Sequence, residues 1–77
     1  MQLQQTFGKI LRELRASTGL SQEALALECG LDRTYISLLE RGLRRPSLQT
    51  VFTLSHSIKI SPSAFVLLVE KELIRNS

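Results

Sequence analysis

The chain has little to build covalent chemistry with. One cysteine, Cys29, rules out an internal disulfide, and one histidine, His56, far along the chain from it, leaves neither a metal-ligand cluster nor a nucleophile–base pair. Cys29 reads as a buried thiol and His56 as a solvated side chain on the outer face of its helix. There is no tryptophan, and only 5% of the residues are aromatic. A core must therefore be made of aliphatics. Two prolines and four glycines leave long stretches uninterrupted, and no period-two alternation, repeat or low-complexity tract appears. The longest unbroken apolar run, Ala64 to Val69, is far too short to span a bilayer. The opening MQLQQTFGK lacks the basic cluster and apolar run of a leader, so the expectation is a cytoplasmic protein with no membrane association. With no metal, cofactor or catalytic constellation in view, an enzyme is not expected.

What remains is helical punctuation. Seventy-seven residues suffice for one domain, expected to be an all-α, compact arrangement of five helices covering residues 1–77. Leu3, Phe7, Ile10, Leu11 and Leu14 form a stripe on a first helix from about Leu3 to Thr18, facing away from Lys9, Arg12 and Glu13. Gly8 interrupts that helix, where it costs about 1 kcal/mol relative to alanine, and would permit close packing. Ser21 caps a second helix, Gln22 to Cys29, with Leu25, Ala26 and Cys29 inward. Gly30 supplies the positive φ of a tight turn, Asp32 caps a third helix from Arg33 to Arg41, and Gly42 closes it. Pro46 and Ser47 open a fourth helix reaching about Ile58, with Leu48, Val51, Phe52, Ser55 and Ile58 on one face. Ser61–Pro62 starts a fifth, to about Arg75.

The segment Ser21–Gly42 is thus two short helices joined by a glycine turn, with Arg33, Arg41, Arg44 and Arg45 clustered on and after the second of them. The net charge of +3 says little, but this local density points to nucleic acid. On a helical wheel Ile36 and Leu39 point inward, while Arg33, Thr34, Ser37 and Arg41 share an outer arc of about 100° bordered by Leu38. Such a rod fits the major groove. Arg33 can pair with a guanine edge through two parallel hydrogen bonds, Thr34 and Ser37 can donate or accept, and Leu38 can touch a thymine methyl. Arg41, Arg44 and Arg45 suit phosphates.

The fifth helix carries Ala64, Phe65, Val66, Leu67, Leu68, Val69, Leu73 and Ile74, apolar around nearly its whole circumference. A chain this short cannot wrap such a helix by itself, which predicts a homodimer. The expected interface is Ile58, Ile60, Phe65, Val66, Val69 and Leu73, most of it on the C-terminal helix at about 62–75. A two-fold dimer would set two reading helices about 34 Å apart, for a near-palindromic operator in double-stranded DNA with half-sites roughly 10 base pairs apart. The rival reading is a partner-binding module, such as an antitoxin using its apolar last helix.

Gln22, Ala26, Gly30, Ile36-Ser37, Glu40 and Gly42 resemble the helix-turn-helix of phage repressor and Cro-type regulators, and LDRTYISLLERGLRRPS is most similar to the controller proteins of restriction–modification systems. The resemblance covers Phe7 to Ile58 and the five-helix layout. It implies a transcription regulator that activates and represses its operon by occupancy, with RNA polymerase as a further partner, touched by Glu23 and Glu28 on the outer face of the second helix. It implies that Gln22 and the start of its helix grip a phosphate, that Arg33, Thr34 and Ser37 hold base-reading positions, and that Arg15 and Glu40 form a structural ion pair. It places Tyr35 near the DNA backbone; from the residues alone, Tyr35 serves equally as an edge-of-core aromatic.

Overall fold

The computed structural model describes residues 2–76 and contains five helices: α1 Leu3–Ser17, α2 Gln22–Cys29, α3 Arg33–Glu40, α4 Leu48–Ser57 and α5 Pro62–Arg75. Three expected boundaries move by a residue or two. Thr18 and Arg41 cap α1 and α3 instead of lying within them, and α4 starts only after Pro46 and Ser47. The side chain of Ser47 shows why: it accepts the Thr50 N–H at 3.0 Å, which makes it the N-cap rather than a helical residue. Ser21, Asp32 and Ser61 do the same for Ala24, Thr34 and Ala64, at 3.0, 3.2 and 3.2 Å. Each such cap is worth about 1 kcal/mol, a considerable share for helices of only 8 to 14 residues.

α1 lies against α3 and α5, α2 against α3 and α4, and α4 against α5. Leu11, Leu25, Ile36, Leu39, Leu54 and Phe65 are fully buried at the centre, one or more from every helix. Phe7 and Phe65 stack with ring centroids 4.9 Å apart and planes only 6° from parallel, joining α1 to α5. Gly8 is where α1 crosses the end of α3: a Cβ there would stand 2.4 Å from the Leu39 carbonyl oxygen and 2.5 Å from that of Glu40. Only a residue without a side chain allows this approach.

The end of α5 is tied back to α1. Lys9 donates to the Glu72 carboxylate, which also accepts from Arg75 at 3.0 Å and Asn76 at 3.2 Å. These donors, Lys9 foremost, pull the Glu72 carboxyl from its ordinary 4.5 down to about 2. A carboxyl whose folded value lies below its unfolded one stabilises the fold above the unfolded value, and that contribution is lost as pH falls through the folded one. Melting temperature is therefore expected to drop as pH is lowered from about 4.5 toward 2. Glu72→Gln should flatten this part of the profile; a profile identical to that of the unsubstituted protein would show that the latch carries no stability.

Candidate nucleic-acid interface

The recognition rod is held from beneath by one carboxylate. Glu40, the last residue of α3, has a fully buried side chain. Arg15 of α1 meets it with Nε at 2.5 Å and Nη2 at 3.0 Å, and donates Nη1 to the Leu20 carbonyl in the α1–α2 turn at 2.9 Å. Hydrogen bonding to Glu40 raises the Arg15 pKa above its ordinary value, so the guanidinium keeps its charge beside the carboxylate. Arg12 approaches the same carboxylate at 3.8 Å, and Gln22 at the start of α2 donates its side-chain N–H to it at 3.0 Å. Three helices thus converge on one buried carboxylate with both of its oxygens hydrogen-bonded. Removing one partner from such a cluster strands a buried charge, which costs several kcal/mol.

The same end of α3 is also fixed by its turn. Gly42, at φ 74°, lets its own N–H reach the Leu39 carbonyl at 3.1 Å and the Leu43 N–H reach the Leu38 carbonyl at 2.9 Å. This is the Schellman arrangement, and it sets the direction in which the arginine-bearing loop leaves the helix. A Cβ on residue 42 would also fall 2.9 Å from Gln5 Cα, so α1 presses against the turn itself.

On this support Arg33 and Thr34 are exposed at the start of α3, Ser37 and Leu38 are half-buried along it, and Arg41, Arg44 and Arg45 are exposed at and beyond its end. None of the ion pairs among the described residues engages these four arginines. Arg44 makes one hydrogen bond, to its neighbour's carbonyl at 3.2 Å. Of the two acids beside the cluster, Glu40 is turned inward and already paired, and Asp32, exposed next to Arg33, spends one carboxylate oxygen on the Thr34 N–H as the cap of α3. The arginines therefore make no ion pair among the described residues, a link the sequence could not supply. Tyr35 is half-buried against the core, as the edge-of-core alternative has it. Cys29 is half-buried between α2 and α4, its Sγ 3.2 Å from the Ser57 hydroxyl.

The apolar face differs from the expected one. Of the six expected interface residues, Ile58, Phe65 and Val69 are buried in this chain's own core, and Ile60 and Leu73 are half-buried against it; only Val66 is open. The stack on Phe7 is what draws the Phe65 arc of α5 inward. On α4, Leu54 takes the inward place, with Val51, Ser55 and Ile58. Leu48 and Phe52, expected on one face with Val51, Ser55 and Ile58, instead stand 72% and 55% exposed. They meet Val66 and Leu67, 53% and 47% exposed, around a shallow groove of about 410 Å³ between α4 and α5. A larger groove of about 790 Å³, lined also by Leu3, Gln5, Arg45 and Pro46, continues from it across Leu48 and Val66. Spacing alone does not decide between the two sets: 48, 51, 52, 55 and 51, 54, 55, 58 are equally good helical stripes, and the packing of α4 on α2 and α5 selects the second.

Among the described residues no single helix is long and apolar enough to cross a membrane, and no cluster of metal-ligating side chains occurs.

The helix-turn-helix family model matches residues 11–65. The control protein C.BamHI of Bacillus amyloliquefaciens is 46% identical over 57 residues, 73% of this chain and 70% of that protein. The crystal structure of the restriction–modification controller protein C.AhdI from Aeromonas hydrophila superposes with a TM-score of 0.77 at 46% identity, covering 79% of this chain and 92% of that one. A TM-score of 0.84 at 29% identity relates the fold to the controller protein C.Esp1396I, solved as a tetramer in complex with its natural 35 base-pair operator; 94% of this chain and 95% of that one are covered. The chain belongs to the helix-turn-helix family, among the restriction–modification control proteins.

Proposed function

We propose that this chain is a homodimeric transcription regulator that reads a palindromic operator in double-stranded DNA and controls a restriction–modification operon in the cytoplasm by activation and repression. The observation that carries the proposal is the exposed arginine cluster on and beyond a rod braced from behind. Four guanidinium groups that make no ion pair among the described residues attract a polyanion, and a helix of this width fits the major groove. Arg33, Thr34, Ser37 and Leu38 are assigned to base edges. Gln22, Tyr35, Arg41, Arg44 and Arg45 are assigned to the DNA backbone. The interface of the dimer is assigned to Leu48, Phe52, Val66 and Leu67, with α5 contributing as expected but through a different arc. The relatives lend no support to the antitoxin alternative, and no catalytic role is assigned to any residue.

Selection from random duplex DNA tests the proposal directly. Enrichment of a two-fold symmetric site with half-sites about 10 base pairs apart is expected; failure to enrich any site would overturn it. On the enriched site Arg33→Ala should cost about 1–3 kcal/mol and relax preference at one base position. Arg45→Ala should instead weaken operator and random DNA alike, and lower the dependence of log affinity on log salt by about one. Equal losses on both DNAs for Arg33→Ala would remove that residue from the base-reading set.

Contact with RNA polymerase is proposed through the outer face of α2. Glu23 and Glu28 are exposed there and make no ion pair among the described residues, and Leu27 between them is 83% exposed, more than any other large apolar side chain described. Reversing both charges should abolish activation in a transcription assay while leaving operator affinity unchanged; intact activation would remove polymerase from the partners of this face.

A further inference from the structure

We infer that Glu40 is a positioning residue for DNA binding, acting through the side chain of Gln22; this rests on the DNA reading above and on the assignment of Gln22 to a phosphate. A carboxylate can only accept hydrogen bonds. Glu40 is fully buried and both of its oxygens already accept from Arg15, so the Gln22 side chain must turn its nitrogen toward it, as the 3.0 Å contact shows. That settles an orientation which a free glutamine leaves open, since its oxygen and nitrogen ends exchange by a simple rotation. With one N–H held by Glu40, the second is left to serve an anion at the start of α2. There the backbone N–H groups of Gln22 and Glu23 are the ones left over, because Ser21 has already taken those of Ala24 and Leu25. A phosphate at this place meets three donors. Without the charge on Glu40 the amide would rotate freely, and for half of its orientations it would offer an oxygen to an anion.

The same carboxylate that joins α1, α2 and α3 therefore also orders a contact on the DNA-facing edge. The two roles predict different data. If Glu40 only holds the fold, Glu40→Gln weakens DNA binding by the same factor whether or not Gln22 is present. If it positions Gln22, its effect depends on Gln22 being there.

The experiment is a double-mutant cycle with Gln22→Ala and Glu40→Gln, read as affinity for a duplex of random sequence at low salt. Backbone contacts dominate binding under those conditions. Each single substitution should lower affinity about tenfold, and the double should be no weaker than either single. Factors that multiply would overturn the inference and leave Glu40 structural, as would an unchanged affinity for Gln22→Ala. A wild-type protein that does not bind duplex DNA would overturn the DNA reading itself, which is a separate result. Should Glu40→Gln fail to fold, the side-chain amide resonances of Gln22 in the wild-type protein decide. One proton shifted downfield and slow to exchange is expected; two protons exchanging at the rate of a free amide would overturn the inference.

Discussion

Phe52→Glu is expected to leave a folded monomer whose operator affinity has fallen by roughly 10²–10⁴-fold. Phe52 is 55% exposed and lies outside the buried set of α4, so this chain's own core does not depend on it. Its neighbours Leu48, Val66 and Leu67 give one continuous apolar surface, and burying an apolar side chain of this size is worth about 1.5–3 kcal/mol. In an isologous interface the substitution occurs twice, so two charges must be desolvated together. DNA binding then falls with dimerisation, because two linked half-site contacts exceed either alone by about 10²–10⁴-fold through effective concentration. Sedimentation velocity should report a monomer, and the circular dichroism melt should stay near that of the unsubstituted protein. An unchanged dimer would move the interface elsewhere. A lost fold would mean that Phe52 belongs to the core after all.

The second large effect runs against helix propensity. In an ordinary helix, Gly→Ala stabilises by about 1 kcal/mol. At residue 8 it should destabilise by about 1–3 kcal/mol or more. The new methyl carbon would stand 2.4 Å from the Leu39 oxygen and 2.5 Å from the Glu40 oxygen, both backbone atoms that no rotamer change can move aside. Either α1 retreats from α3 or the last turn of α3 shifts. The second response also disturbs the Gly42 turn and the Arg15–Glu40 pair, so DNA affinity should fall along with stability. Urea denaturation decides the sign, and a Gly8→Ala protein as stable as the original would contradict the crossing described here.

These two residues also mark how far the sequence could be read. The inward stripe of α1, the serine and aspartate caps, the Gly30 and Gly42 turns and the outward arc of α3 follow from spacing and side-chain chemistry within a few consecutive residues. They emerged where expected to within one or two positions, except that Leu3, at the start of the α1 stripe, stands 47% exposed. The α4–α5 turn was harder, because Lys59 adopts φ 60° where a glycine would have announced the geometry. Long-range choices were not legible. An apolar circumference on α5 shows that two faces will be covered, but the direction of the Phe7–Phe65 stack decides which arc goes to its own chain. Leu48 and Phe52 looked as apolar as Val51 and Leu54. Gln22 had a resemblance to suggest a phosphate, yet nothing in its neighbourhood along the chain foretold that a residue 18 positions away would fix its amide.

Local order thus belongs to the sequence by itself: five amphipathic or apolar helices, where they start, where they stop, and a basic rod in the middle. Caps, turns and periodicity act over one or two turns of chain, and their physics is complete within that window. Tertiary structure decided what is left over after packing, namely which apolar side chains remain outside and which charges remain unpaired. Those are differences between competing neighbours, and a neighbour is known only once the helices have been placed against one another.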